Sequence, residues 1–215
     1  MLKIGLTGSI GMGKSTTAKL FAEAGLPVND ADAVVHDLYN GEAAPLVDAA
    51  FPGSMKDGTV DRRELARQLG LQPDDFTKLE RIVHPLVRKQ EAAFIAREGQ
   101  RGSSMIVLDI PLLFETGAEA RVDVTVVVSC DPQIQRQRVL ARPGMTEEKF
   151  NMIMSRQTPD EKKRLKADYV IDTGHGIDLA RARVADIIAD LKQRMASGDL
   201  PVSYTHLTLP TNREV

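Results

Sequence analysis

Apolar positions along this chain fall into two kinds of pattern. Short, unbroken apolar runs occur at Leu2-Lys3-Ile4-Gly5-Leu6, at Met105-Ile106-Val107-Leu108-Asp109-Ile110, at Val122 to Ser129 and at Tyr169-Val170-Ile171-Asp172. Runs that do not alternate predict parallel strands buried on both faces. A shorter extended segment, Leu26 to Asn29, leads into Asp30-Ala31-Asp32. Elsewhere the spacing is helical. Ala18, Leu20, Phe21 and Ala24 mark the inward face of a helix that stops at Gly25. Leu79, Ile82, Val83, Leu86 and Val87 recur at helical period, and Leu179 to Met195 reads as a closing amphipathic helix. From residue 33 to about 103 the pattern is almost wholly helical, with Asp61 and Glu64 at capping-box spacing and Pro73 suited to a first turn. Five strand signals with intervening helices predict an α/β fold with a doubly wound, five-stranded parallel sheet. Ligands of such sheets bind at the carboxyl ends of the strands.

The same pattern divides the chain. Residues 1–32, 104–132 and 165–197 form the expected nucleotide-binding core, 33–103 a helical insertion on the substrate side, and 133–164 a lid. Residues 198–215 are set apart as a tail: Pro201 to Val215 has no periodicity, and Ser203 to Pro210 resembles translated library or vector sequence. With 215 residues and a net charge of −2, no global basic field calls for nucleic acid or an anionic membrane. Cys130 stands alone, which suits a reducing compartment and a buried, inert thiol. No stretch approaches 18 apolar residues, and the chain starts on a core strand rather than a leader. The expectation is a cytoplasmic protein acting on a small molecule, as a monomer or weak homo-oligomer, with neither nucleic acid nor membrane as partner.

One motif adds chemistry to this frame. Gly8-Ser9-Ile10-Gly11-Met12-Gly13-Lys14-Ser15 is a complete G-x-x-x-x-G-K-S run, placed between the first strand and the first helix. A glycine-rich turn opening a helix aims backbone N–H groups and the positive end of the helix dipole at one small volume, which suits phosphate. Gly8, Gly11, Met12, Gly13, Lys14, Ser15 and Thr16 are therefore candidate ATP-binding residues, with Lys14 reaching the β- and γ-phosphates and Ser15 ligating Mg²⁺. Asp30 and Asp32 sit where the second strand ends, and either fits a proton acceptor for phosphoryl transfer or a helix N-cap. Asp109, closing an apolar strand, reads as a Mg²⁺-shell carboxylate or a plain strand-end aspartate. Arg136, Arg138, Arg142, Arg156 and Arg164 crowd one stretch, broken by Pro143-Gly144 before Thr146 starts a new helix. Such a run is a solvated face, or a basic flap that closes over the phosphates and excludes water, with Arg138 and Arg142 as phosphate contacts.

Taken together, Gly8 to Thr16, Asp30-Ala31-Asp32, Val83-His84-Pro85-Leu86, Ile110-Pro111-Leu112-Leu113-Phe114-Glu115, Arg156-Gln157 and Ala167 to Asp172 resemble the dephospho-CoA kinase family over about residues 1 to 195. The resemblance implies a P-loop NTPase-type core, a helical insertion and a lid. It implies transfer of the ATP γ-phosphate to the ribose 3′-hydroxyl of dephospho-CoA, the last step of coenzyme A synthesis. It also implies Asp32 as the base, and places His84, Leu112 and Glu115 on the acceptor side. Where many members carry an Asn-containing turn after the last strand, this chain has Asp172-Thr173-Gly174-His175-Gly176, so adenine contacts do not carry over. The alternatives are another P-loop small-molecule kinase, of nucleotide or shikimate type, and a non-kinase ATP-binding module. No Asn-Lys-x-Asp guanine-reading motif occurs.

Overall fold

The computed structural model describes residues 1–69 and 74–200. Strand β1 (Leu2–Thr7) enters the glycine-rich turn, α1 (Lys14–Glu23) leaves it, and β2 (Val28–Asp30) follows. The insertion comprises α2 (Ala31–Tyr39), α3 (Ala44–Ala50), a hairpin of β3 (Met55–Lys56) and β4 (Thr59–Val60), α4 (Arg62–Gln68) and α5 (Asp75–Gln100). The sheet resumes with β5 (Met105–Asp109), a 3₁₀ turn at Ala118–Arg121 and β6 (Val124–Ser129). Helices α6 (Pro132–Leu140), α7 (Glu147–Arg156) and α8 (Asp160–Lys166) precede β7 (Tyr169–Asp172) and α9 (Ile177–Ser197).

The main sheet has five strands in the order β2-β5-β1-β6-β7, every pairing parallel. Strand β1 is central, and successive connections leave it in opposite directions, so the glycine-rich turn opens at the switch point of the sheet. Strands β5 and β6 are buried along their whole length, as their unbroken apolar runs predict. Within β5 the two-residue period divides the layers. Met105 and Val107 join Phe21, Val184, Ile187 and Leu191 in one cluster, whereas Ile106 and Leu108 pack with Phe94 of α5 in another. The insertion has a core of its own, built from Leu38, Val47, Phe51, Val60, Leu65 and Leu69. Leu79, Ile82, Leu86 and Val87 of α5 pack against it, so α5 serves both cores.

Several expectations are corrected. The insertion is not wholly helical: Asp57, at φ 51°, and Gly58, at φ 79°, make the two-residue turn that joins β3 to β4. Asp-Gly between short extended segments is the sequence signal for such a turn. Asp61 caps α4 by accepting from the N–H groups of Arg63 (2.9 Å) and Glu64 (3.1 Å), but Glu64 does not reach back to complete the box. Its carboxylate takes Arg67 and Gln68, and the Asp61 N–H goes to the Ser54 carbonyl. Ala24 ends α1 exposed; Thr17 joins Ala18, Leu20 and Phe21 on the buried face. The second strand starts at Val28, while Leu26 packs into the sheet core. Helix α5 runs unbroken through Pro85. Leu200, assigned to the tail, is buried in the main core. Pro73 and residues 201–215 lie outside the described residues.

Candidate active site

The glycine-rich loop is shaped by close packing. A Cβ on Gly8 would lie 2.2 Å from Val128 Cγ2, and one on Gly11, at φ +80°, would lie 2.5 Å from Val139 Cγ2. Only glycine admits β6 and α6 at that approach. Helix α1 has no side-chain cap, so its first-turn N–H groups remain open to an anion. Thr173 Oγ1 donates to the Met12 carbonyl at 2.8 Å, fixing the far side of the loop. Met12 contributes backbone alone: its side chain is buried, with Sδ 3.1 Å from the Cys130 amide nitrogen. Burial pushes the Cys130 thiol up, as expected of an inert cysteine.

Charge gathers at the carboxyl ends of the neighbouring strands. Lys14 Nζ lies 2.6 Å from Asp109 Oδ1, and Asp109 is in register with Asp30 on β2. Burial raises the Asp109 carboxyl above its ordinary value; Lys14 pulls it down, while the charges of Asp30 and Asp32 raise it further. The start of α2 gives the two neighbouring aspartates different places. Asp30 Oδ1 accepts from the Asp32 and Ala33 N–H groups at 2.9 and 3.1 Å, so Asp30 is the N-cap. Asp32 stands exposed on the first turn, its carboxylate without a hydrogen-bond partner among the described residues.

Two cavities flank this charge cluster. The larger, of about 670 Å³, lies between α2, α5 and the segment after β5, and its wall includes Asp32, Tyr39, Phe76, His84, Arg88 and Leu112. The smaller, of about 340 Å³, is walled by Gly11, Gly13, Thr16, Arg138, Arg142 and Thr173. Asp32, His84 and Leu112 are thus brought together as expected. Glu115 is not. Its Oε1 lies 2.9 Å from Nζ of the fully buried Lys163 and accepts from the Thr158 N–H at 2.7 Å, which ties it beneath the lid instead of placing it in the cavity wall.

The lid arginines also part ways. Arg138 donates to the Thr173 carbonyl (2.8 Å) and hydroxyl (3.2 Å), whereas Arg142 has no side-chain partner among the described residues. Arg156 reaches across to the Phe76 ring, 5.7 Å from its centroid, so the lid touches the insertion at the mouth of the larger cavity. Sequence reasoning missed Thr173. The signal was its place just after the last strand, at the same sheet edge as the other candidates.

Comparison with known proteins decides the family. The dephospho-CoA kinase family profile matches residues 2–178. A dephospho-CoA kinase of Rhizobium etli is 70% identical over 199 residues, spanning 93% of this chain and 98% of the relative. That of Agrobacterium fabrum is 60% identical over 191 residues, 89% of this chain and 98% of the relative. The chain belongs to the dephospho-CoA kinase family. Its fold agrees: a Thermus thermophilus crystal structure, 36% identical, superposes with a TM-score of 0.75 over 88% of this chain and 97% of the other. A Campylobacter jejuni dephospho-CoA kinase, 22% identical, shares the fold with a TM-score of 0.67 over 92% and 98%. As a dephospho-CoA kinase family member, the chain is an ATP-dependent kinase of the final step of coenzyme A biosynthesis.

The donors around the loop suit Mg²⁺. Those at hand are all oxygens: the exposed Ser15 hydroxyl beside Lys14, and the buried Asp109 carboxylate that Lys14 holds. Among the described residues no three acidic, histidine or cysteine side chains gather as a cation cage. A metal that keeps several waters and leans on substrate phosphates needs no such cage.

Proposed function

We propose that ATP lies along the smaller cavity with its phosphates on the loop from Gly8 to Thr16, and that dephospho-CoA fills the larger one with its ribose 3′-hydroxyl at Asp32. One observation carries this reading: Asp109, 2.6 Å from Lys14 of the loop, is in register with Asp30 on β2, and Asp32 in the wall of the larger cavity follows two residues later. Gly13, next to Lys14 in the chain, lines the smaller cavity, so Lys14, Asp109 and the start of α2 link the two. Asp32, exposed and unpartnered, accepts the proton of the attacking hydroxyl. Lys14 draws charge from the β- and γ-phosphates, and Arg142 supplies a second cation from the lid. Ser15 and Asp109 are the residues that would hold Mg²⁺, which when bound would supply positive charge toward the phosphates. Preorganised cations around the transferring group contribute more than proton removal does, because a metaphosphate-like transition state needs little activation of the nucleophile. The apolar wall formed by Val35, Leu79, Val83, Val87 and Leu112 suits an acceptor with a long, weakly polar arm.

Release of ADP with a panel of acceptors tests this. Dephospho-CoA should drive turnover, while AMP, shikimate and buffer alone should not. Equal ADP release without acceptor, or preference for shikimate, would overturn it.

A further inference from the structure

Ile10 of the glycine-rich loop has both of its backbone polar groups taken by side chains. Gln135 Nε2 donates to the Ile10 carbonyl at 2.8 Å, and Gln157 Oε1 accepts from the Ile10 N–H at 3.1 Å. We propose that Gln135 and Gln157 are positioning residues that clamp the two peptide units flanking the Ile10 Cα from the two roots of the lid and hold the phosphate loop in its binding shape. Gln135 is 3% exposed on α6, and Gln157 immediately follows α7. Neither amide can flip, since a flip would set donor against donor or acceptor against acceptor.

Both roots are themselves anchored. Helix α6 passes so close that a Cβ on Gly11 would sit 3.0 Å from the Gln135 carbonyl oxygen. Gln135 Nε2 also lies 3.4 Å from Met154 Sδ on α7, joining the lid helices under the loop. Beyond Gln157, the Thr158 N–H goes to Glu115 at 2.7 Å, and Asp160 accepts from the Ser129 hydroxyl at 2.7 Å. Within the loop the Met12 N–H donates to the Ser9 carbonyl at 3.1 Å, which leaves both Ile10 groups to outside partners, and buried polar groups left unpaired are costly. The clamp supplies the missing partners, and it engages the Ile10 N–H so that phosphate is met by the N–H groups that follow. The catalytic consequence rests on ATP occupying the loop, whereas the clamp itself is read in nucleotide-free protein.

The two glutamines have opposite polarity, which separates a hydrogen-bond role from a packing role. Glutamate at 157 keeps an acceptor for the Ile10 N–H; glutamate at 135 has no donor for its carbonyl. Both add the same charge beside the same residue. Hydrogen exchange at the Ile10 amide, followed by NMR in the full chain without nucleotide, should show protection in wild type and in Gln157→Glu. Gln157→Ala should speed exchange about fivefold to tenfold, the worth of one such bond. In steady-state assays Gln135→Glu should raise KM for ATP about fivefold to tenfold above that of Gln157→Glu, with kcat changing less. Like exchange in Gln157→Ala and Gln157→Glu, or Gln135→Glu no worse than Gln157→Glu, would overturn the clamp. Should an alanine variant fail to fold, an unprotected Ile10 amide in wild type would overturn it equally.

Discussion

The smaller cavity is bordered by the glycine-rich loop, two lid arginines and Thr173, and the larger one by residues of α2, α5 and the segment after β5. Around the smaller, the loop from Gly8 to Gly13 is fixed by glycines that meet β6 and α6 and by Thr173, Gln135 and Gln157. Around the larger, Asp32, Tyr39, His84 and Arg88 project from α2 and α5, whose facing residues pack on the insertion's own core while the far end of α5 packs on the sheet. Backbone chemistry is common to every triphosphate, so the first wall is a motif that many proteins share. The second wall can change one residue at a time, and in the function proposed above it sets which acceptor is phosphorylated.

The sharpest way to break this division is Lys14→Ala. It should lower kcat/KM by about 10³ or more, since a charge clamp on the phosphates is lost. Dephospho-CoA affinity by calorimetry should stay within about threefold if, as proposed, that ligand rests on the other wall. A parallel loss of acceptor binding would merge the two cavities into one site.

Next in size is Glu115→Gln, which leaves the fully buried Lys163 without a counter-charge. Breaking such a pair costs about 3–5 kcal/mol, a fall in Tm of roughly 6 to 20 °C for a chain of this length. Burial raises the Glu115 carboxyl, but the Lys163 ammonium beside it and the hydrogen bond from the Thr158 N–H outweigh it and leave its value below the ordinary 4.5. The pair's contribution is therefore complete above pH 4.5 and is lost as pH falls toward the depressed value. Wild-type melting should show that slope below pH 4.5, and Glu115→Gln should lack its share of it. Identical acid slopes in the two proteins would remove Glu115 from the lid anchor.

This contrast also governs what was legible in the sequence. Unbroken apolar runs announced the sheet because parallel strands are covered on both faces, and topology then pointed to the correct edge. The loop was legible because its spacing encodes a backbone shape. Which β2 aspartate caps α2 was not, since both lie within one turn and the cap depends on backbone angles at Asp30. Glu115 misled because its sequence neighbours Leu112 and Pro111 do line the cavity, while the chain turns it toward Lys163. The β3–β4 hairpin hid in a helical region because two-residue strands leave no period to read; only Asp57-Gly58 marked it.

The central claim is that Asp32, in the wall of the larger cavity, is the base for transfer of a phosphate held at the loop, and paired calorimetry with single-turnover kinetics on Asp32→Asn tests it most directly. Asn keeps the size and removes the basic oxygen. ATP and dephospho-CoA should each bind within about threefold of wild type, while the single-turnover rate falls by about 10² to 10³. Asp30→Ala is the control: it should cost about 1 kcal/mol of stability through the lost cap and leave the chemical step nearly intact. An Asp32→Asn enzyme that turns over at the wild-type rate, beside an Asp30→Ala enzyme that is folded and inactive, would contradict the account.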